Sequence, residues 1–380
     1  MAPRVLETPA DGSARAEDSA YLTSQLITCI GNKRALLPFI GEALAIVRRE
    51  LRADRLDLMD AFAGSGVVSR YFKRFARRLI SNDLETYAGV IAHCYLANAD
   101  AIDFKSLQAA HAEICADTER NQIDTGIIRS NYAPSDDRNI QPGERVFYTV
   151  ENARRLDTFR TLIGDLPAWL QPFLLAPLLS AASVHANTSG VFKGFYKDRS
   201  SGVGRFGGSA GDALARIMGR VELPFPVFSR HNSEVAVHCR DANQLVRTIG
   251  PVDVAYFDPP YNQHPYGSNY FMLNLLCDYQ RPQRVSPVSG IPADWKRSDY
   301  NRPGAAAKTM ADLVENTDAR YILVSYSDEG FIEPDAMRDI LARRGRVRVL
   351  ERAYNTFRGS RNLQNRSLHV KEQLFLVRCR

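Results

Sequence analysis

Cysteine pairs, proline-free apolar runs of membrane-spanning length and phosphate-loop signatures are missing from this 380-residue sequence, and each absence removes a class of function. Cys29, Cys94, Cys115, Cys239, Cys277 and Cys379 are scattered without a C-x-x-C pair or an evident histidine partner, so no metal site and no disulfide framework are expected. A reducing cytoplasm suits such a chain. The uncharged stretch from Leu166 to Val184 is interrupted by Pro167, Pro172 and Pro177, so it reads as a buried helical piece and not a membrane span. Residues 1–20 carry Ala, Pro, Ser and charge but no apolar core, which predicts a disordered arm in place of a signal peptide. After Gly64-Ser65-Gly66 no Lys-Ser/Thr follows, so the loop is not one that cradles a nucleotide triphosphate.

What is present is a core and a basic bias. Hydrophobic residues make up 45% of the chain, enough for two domains. The formal net charge of +6 is concentrated: Arg338 to Arg380 holds 12 Lys and Arg against 3 Asp and Glu, leaving the remainder mildly acidic. Such a tail is either a solvated basic face or a surface that meets phosphates.

The most informative stretch is Val252 to Tyr261. An apolar, β-branched and aromatic run reads as a buried strand, and it stops at Asp258-Pro259-Pro260-Tyr261, delivering a carboxylate to the strand's carboxyl end. The prolines hold φ near −65° and cannot donate, so the carbonyls of Asp258 and Pro259 are fixed acceptors beside an aromatic face. That set suits a planar group bearing an NH2, although the same residues also make an ordinary strand-ending turn. Upstream, Leu56 to Asp60 predicts a strand running into Phe62-Ala63-Gly64-Ser65-Gly66, where glycines permit close approach of a ligand. A second strand from Arg78 ends at Asp83, 17 residues after Gly66, about the spacing at which a carboxylate reaches ribose hydroxyls. These features indicate a nucleoside ligand, and a nicotinamide-dependent oxidoreductase would share them. Val235 to Asp241 alternates as another strand and ends 17 residues before Asp258. Further strands are predicted at Tyr321 to Tyr326 and Leu374 to Val377. Ahead of all of them, Gly31-Asn32-Lys33 precedes an apolar helical pattern, and its amides and Lys33 are placed to meet a carboxylate.

Between Tyr87 and about Pro224 the strand-and-glycine rhythm lapses and the pattern is mainly helical, which predicts a second domain. It ends in a Gly/Ser-rich run, Ser189 to Gly208, able to set Lys193, Lys197, Arg199 and Arg205 on phosphates. A second basic, polar loop spans Tyr354 to Arg366.

The ordered set of Gly31-Asn32-Lys33, Asp60-Ala61-Phe62-Ala63-Gly64-Ser65-Gly66, Asp83, Asp241 and Asp258-Pro259-Pro260-Tyr261 resembles the Dam-like, alpha-group class of S-adenosylmethionine-dependent DNA adenine N6-methyltransferases. The resemblance covers about residues 21–380. It implies an α/β fold: a Rossmann-like class I methyltransferase sheet from 21–86 and 225–380, with an inserted, mainly helical target recognition domain at 87–224. It also implies transfer of a methyl group from S-adenosylmethionine to N6 of an adenine flipped out of duplex DNA. Gly31, Lys33, Asp60, Phe62, Gly64, Ser65, Gly66, Asp83, Asp241 and Ala242 would bind the cofactor, and Asp258, Pro259, Pro260 and Tyr261 would act on the base. Lys193, Lys197, Arg199, Arg205, Arg358 and Arg361 would meet DNA. Around Asn262 to Tyr270 and Arg358 to Arg361 the chain looks closer to restriction-modification enzymes, which implies a possible cognate restriction endonuclease and a monomer, with a dimer as the other option. RNA base methylation and cytosine N4 methylation remain open, the latter disfavoured because Ser usually stands where Asp258 does.

Overall fold

The computed structural model describes residues 17–29, 31, 33–208, 211, 213–327, 330–355 and 369–380, with side chains omitted for 353–355 and 369–371. Arg358 and Arg361, and residues 1–16 of the expected arm, lie outside the described residues. Residues 17–20 do not behave as an arm. The Glu17 carboxylate accepts bonds from Ser229 Oγ at 2.6 Å and from the Arg230 amide at 3.0 Å, which fixes this stretch to the segment before the third strand.

Seven strands form one sheet: β1 (Leu56–Asp60), β2 (Ala76–Asn82), β3 (Glu234–His238), β4 (Val252–Phe257), β5 (Ala319–Ser327), β6 (Gly345–Asn355) and β7 (His369–Cys379). Their spatial order is β3-β2-β1-β4-β5-β7-β6. The first five run parallel, and β7 is antiparallel to both β5 and β6. β4 sits centrally, and its Val254, Ala255, Tyr256 and Phe257 are buried, as a parallel strand covered on both faces must be. Strand order reverses between β1 and β4, and in an open α/β sheet such a switch point opens a crevice at the strands' carboxyl ends.

The helices are α1 (Leu37–Leu51), α2 (Val67–Lys73), α3 (Thr86–Tyr95), α4 (Phe104–Arg120), α5 (Ile127–Tyr132), α6 (Val150–Gly164), α7 (Gln171–Val184), α8 (Leu214–Met218), α9 (Ala242–Leu245), α10 (Tyr266–Asn269), α11 (Phe271–Asp278), α12 (Pro303–Asn316) and α13 (Pro334–Ala342). α1 and α2 cover one face of the sheet through Ile40, Leu44, Val68 and Phe72. α12 and α13 cover the other through Met310, Leu313, Met337 and Leu341. Among the described residues, the long connection from β2 to β3 carries helices and adds no strand to the sheet. Its core gathers Leu107, Ile114, Leu156, Leu174 and Leu178, and it also takes Phe271, Met272 and Leu275 from α11, which follows β4. The apolar stretch with three prolines is α7, where Pro177 lies inside a buried helix; no described helix is long and apolar enough to cross a membrane.

β6 is the one strand of the sheet that the sequence reading passed over. Arg346 and Arg348 are exposed and alternate with the half-buried Val347 and Val349, so part of the basic tail is an edge strand whose charges discourage pairing with other chains. Cys115 also has a histidine neighbour after all: His111 stands one turn away on α4, with Nε2 at 3.8 Å from Sγ and 2.8 Å from the Leu223 carbonyl oxygen.

Candidate active site

The carboxyl edge of the sheet is tied together by Asn82, the last residue of β2. Its Nδ2 donates to the carbonyls of Ala61 and Arg240, both at 3.0 Å, and its Oδ1 accepts the Arg240 amide at 3.1 Å. One buried carboxamide thus holds the loops after β1, β2 and β3 in register. The glycine loop is pinned further by the Ala63 amide donating to Asn82 O at 2.8 Å and by the tight turn from Gly66 N to Ala63 O at 2.7 Å. Gly64 and Gly66 adopt φ of 53° and 74°, values that L side chains tolerate poorly. Around Gly64 a Cβ would meet nothing within 4 Å, so the backbone here borders open space.

A crevice with about 860 Å³ of empty volume lies over this edge. Of the residues expected to bind a cofactor, Gly31, Lys33, Phe62, Gly64, Ser65, Asp83, Asp241 and Ala242 line it. Asp60 and Gly66 do not: Asp60 lies beneath the loop, accepting Ser69 Oγ at 2.6 Å, and Gly66 caps α2. Burial pushes the Asp60 carboxyl up to about 7, against the pull of Ser69. Asp83 accepts the Gly64 amide at 2.8 Å and the Glu85 amide at 2.9 Å. Burial nevertheless raises its pKa, the two amides opposing the shift. Asp241 caps α9 by accepting the Gln244 amide at 3.1 Å.

Sequence reasoning missed several walls of the crevice. Phe62 meets Tyr300 edge to face at 5.2 Å, and Tyr300 Oη donates to Asn243 Oδ1 at 2.8 Å. Lys296 Nζ reaches the Leu84 carbonyl at 2.7 Å, and Asn301 Nδ2 donates to Asn262 O at 2.7 Å, so residues 294–301 strap the crevice from the turn after β4 to the loop after β2. A Cβ on Gly267 would stand 2.4 Å from the Lys296 carbonyl oxygen, which makes glycine necessary where α10 passes under this strap. Glu85 is buried beside it, bonded by Asn274 Nδ2 at 2.6 Å, and burial together with Asp83 lifts its carboxyl to about 7.

Lys33 does not extend a free ammonium toward a ligand. Its Nζ lies 3.1 Å from Asp258 Oδ1 and 3.0 Å from Glu372 Oε1, and the lysine is 5% exposed. Burial favours the neutral amine, but the two carboxylates overcome it and raise the pKa well above the usual lysine value. For Asp258, burial raises the pKa, Lys33 opposes and Glu372 adds to the rise, giving about 6. Asp258 lines the crevice, and its Oδ1 is the oxygen that pairs with Lys33.

Tyr261 lines a smaller recess with Asn262, His264, Tyr266, Asn269 and Tyr270. Its ring packs edge-on against Tyr326 at 5.6 Å, and its carbonyl accepts the Phe331 amide at 2.9 Å. Asn269 Oδ1 is buried there without a hydrogen-bond partner among the described residues. Pro260 lines the main crevice between the two. The chain thus brings together a carboxylate, a fixed turn and an aromatic-walled recess at one end of a nucleoside-sized crevice.

The basic Gly/Ser-rich run forms a small hairpin. Lys197 and Gly204 bridge, the Arg205 amide donates to Tyr196 O at 3.0 Å, and Asp198 closes the turn on the Ser200 and Ser201 amides at 3.0 Å. Lys193, Lys197, Arg199 and Arg205 are all exposed on it. Asn187 Nδ2 bonds Val146 O and Arg205 O, and the Phe192 amide donates to Asn269 O at 2.7 Å, so the hairpin's base is fixed to α10 beside the small cavity.

Comparison with known proteins agrees with this geometry. The family model described as D12 class N6 adenine-specific DNA methyltransferase matches residues 30–340. Type II methyltransferase M.NlaIII of Neisseria lactamica is 28% identical over 366 residues, covering 91% of this chain and 99% of that protein. Type II methyltransferase M.CviAII of Paramecium bursaria Chlorella virus 1 is 29% identical over 355 residues, covering 92% of this chain and 97% of the other. Modification methylase StsI of Streptococcus sanguinis is 29% identical over 366 residues; the match covers 92% of this chain and 51% of that protein, so the chain spans about half its length.

Proposed function

The chain belongs to the D12 class N6 adenine-specific DNA methyltransferase family, and from that membership we propose that the crevice binds S-adenosylmethionine and the Asp258–Tyr261 turn holds a flipped adenine from duplex DNA. The observation that carries this reading is Asp258, which lines the crevice with Pro260, pairs through Oδ1 with Lys33 and stands at the start of the turn whose Tyr261 lines the neighbouring recess. The cofactor supplies an electrophilic methyl group on its sulfonium. The residues present fit it: Phe62 and Tyr300 offer aromatic walls, Asp241 and Ala242 border the same end, Asp83 offers a carboxylate to ribose hydroxyls, and Gly64 leaves its flank open.

Adenine's N6 is inside a base pair, so the base is unstacked into the recess at a cost of a few kcal/mol, offset in part by stacking on Tyr261. Asp258 Oδ2 and the Pro259 carbonyl each accept one N6 hydrogen. Fixing both hydrogens in the base plane directs the nitrogen lone pair out of it, so this chain contributes alignment and preorganised electrostatics. The N6 proton leaves with or after the transfer.

Residues 87–224 serve as the target recognition domain in this reading, and Lys193, Lys197, Arg199 and Arg205 contact phosphates from its hairpin. Arg358 and Arg361, which lie outside the described residues, would meet DNA by the family resemblance alone. The relatives' names, Type II methyltransferase and modification methylase, support a restriction-modification role. A cognate endonuclease, a cytoplasmic location and a monomeric enzyme, with a dimer as the other option, belong to the same proposal. The test is tritiated methyl transfer from S-adenosylmethionine to duplex DNA with structured RNA as competitor. Label in DNA that RNA does not reduce is expected; label in RNA, or stabilisation by NAD in place of S-adenosylhomocysteine, would overturn the reading.

A further inference from the structure

Glu372 is a buried carboxylate that the transfer chemistry above does not use. It sits near the start of β7, and the antiparallel course of that strand brings it to the carboxyl edge of the sheet, opposite Ser327 of β5. There it is 5% exposed and does not line the crevice, so neither cofactor nor base touches it. Its Oε1 accepts Ser325 Oγ at 2.7 Å and stands 3.0 Å from Lys33 Nζ. The ammonium is therefore divided between two carboxylates, Asp258 Oδ1 at 3.1 Å being the other.

We propose that Glu372 is a positioning residue for methyl transfer: by holding Lys33, it keeps the ammonium from closing wholly on Asp258, so that Asp258 retains an oxygen for the amino group of the base. The proposal rests on the methyltransferase reading of this site. Three separate parts of the chain meet in it, the turn before α1, the end of β4 and the start of β7, and Ser325 fixes the orientation of the third. Without Glu372, an ammonium buried at 5% exposure has, among the described residues, Asp258 as its remaining ionic partner and competes with the N6 hydrogens for the same carboxylate. Among the described residues, the charged and titratable groups that act on Asp258 are Lys33 and Cys29 from the N-terminal segment, Asp60 from β1, Tyr256 from β4, Tyr266 after it and Glu372 from β7, while Tyr261 faces Lys33. Glu372 raises the Asp258 pKa and Lys33 lowers it, so removing the Glu372 charge moves Asp258 ionisation to lower pH.

The experiment compares Glu372→Gln and Glu372→Asp with the parent full-length chain, using kcat, KM for DNA and the pH profile of kcat on duplex DNA. For Glu372→Gln, kcat is expected to fall about 10- to 100-fold. KM for DNA stays close to parent, and the acid limb moves to lower pH. Glu372→Asp keeps the charge but withdraws it by one methylene, so kcat should fall while the limb stays in place. Parent-like kcat in either variant overturns the proposal. So does a Gln variant whose kcat falls with the limb unmoved, since a purely structural role predicts that. Should the Gln variant fail to show the thermal shift with S-adenosylhomocysteine that reports a folded site, the Asp variant decides on the split between kcat and KM for DNA: lower kcat at parent-like KM is expected, and parent-like kcat or a KM that rises with the loss overturns the proposal. A parent chain that methylates no adenine would defeat the methyltransferase reading itself, an outcome distinct from any variant result.

Discussion

Replacing Asp258 by Asn separates folding from catalysis in this site. Ionised Asp258 has a folded pKa of about 6, above the ordinary carboxylate value of about 3.9, so the folded state binds its proton more tightly than the unfolded chain does. The sign follows: stability declines as pH rises from about 4 to 6, and at neutral pH the charge costs about 3 kcal/mol, from roughly two pKa units at about 1.4 kcal/mol each. Asn removes that cost. The pull of Lys33 opposes burial, but it is already contained in that folded pKa and is not counted again. Lys33 is not stranded by the substitution, since Glu372 remains at 3.0 Å. The Asn variant is therefore expected to melt no lower than the parent at pH 7. Catalysis does suffer: a neutral carboxamide accepts an N6 hydrogen more weakly, and loss of one preorganised electrostatic contact costs about 10²–10³ in kcat. Circular dichroism melting at pH 7 together with single-turnover transfer to DNA reads both quantities. A variant that retains parent kcat, or that unfolds at pH 7, would refute this division of labour.

Other outcomes follow from the same geometry. The kcat profile of the parent should decline below about pH 6 as Asp258 protonates; a plateau down to pH 5 would place the essential ionisation elsewhere. Gly64→Ala introduces a Cβ at φ 53°, costing about 1–2 kcal/mol of backbone strain, yet the Cβ faces open crevice. The fold should survive while the thermal shift with S-adenosylhomocysteine shrinks, and an unchanged shift would remove the loop from the cofactor site. Tyr261→Ala should slow transfer by about 1–3 kcal/mol through lost stacking, measured as kcat/KM. Alanine at Lys193, Lys197, Arg199 or Arg205 should weaken DNA binding about equally for all sequences and lower the salt slope by about one per phosphate contact. A change confined to one sequence would assign that residue to base reading instead.

Strands with a burial pattern were legible in the sequence, and contacts between distant segments were not. β1, β2, β3, β4, β5 and β7 announce themselves by apolar runs that stop at turn residues, and Asp258-Pro259-Pro260-Tyr261 and the Gly64 loop mark the edge where ligands bind. β6 was hidden because, on an edge strand, arginines occupy the outward positions and look like a basic tail. Glu372 was invisible for a different reason: its pairing with Lys33 arises from the antiparallel placement of β7, which no local pattern encodes. Lys296, Tyr300 and Asn301 belong to a segment without helical or strand period, so only the folded chain reveals them as crevice walls.

The central claim is that this crevice and turn methylate adenine N6 in duplex DNA. Its most direct test is to incubate the full chain with duplex DNA and S-adenosylmethionine carrying an isotope-labelled methyl group, digest the DNA to nucleosides and identify the labelled one by mass spectrometry. Labelled N6-methyl-2′-deoxyadenosine is the expected product; label on cytosine N4, or none in DNA from an enzyme that binds S-adenosylhomocysteine, would contradict the claim.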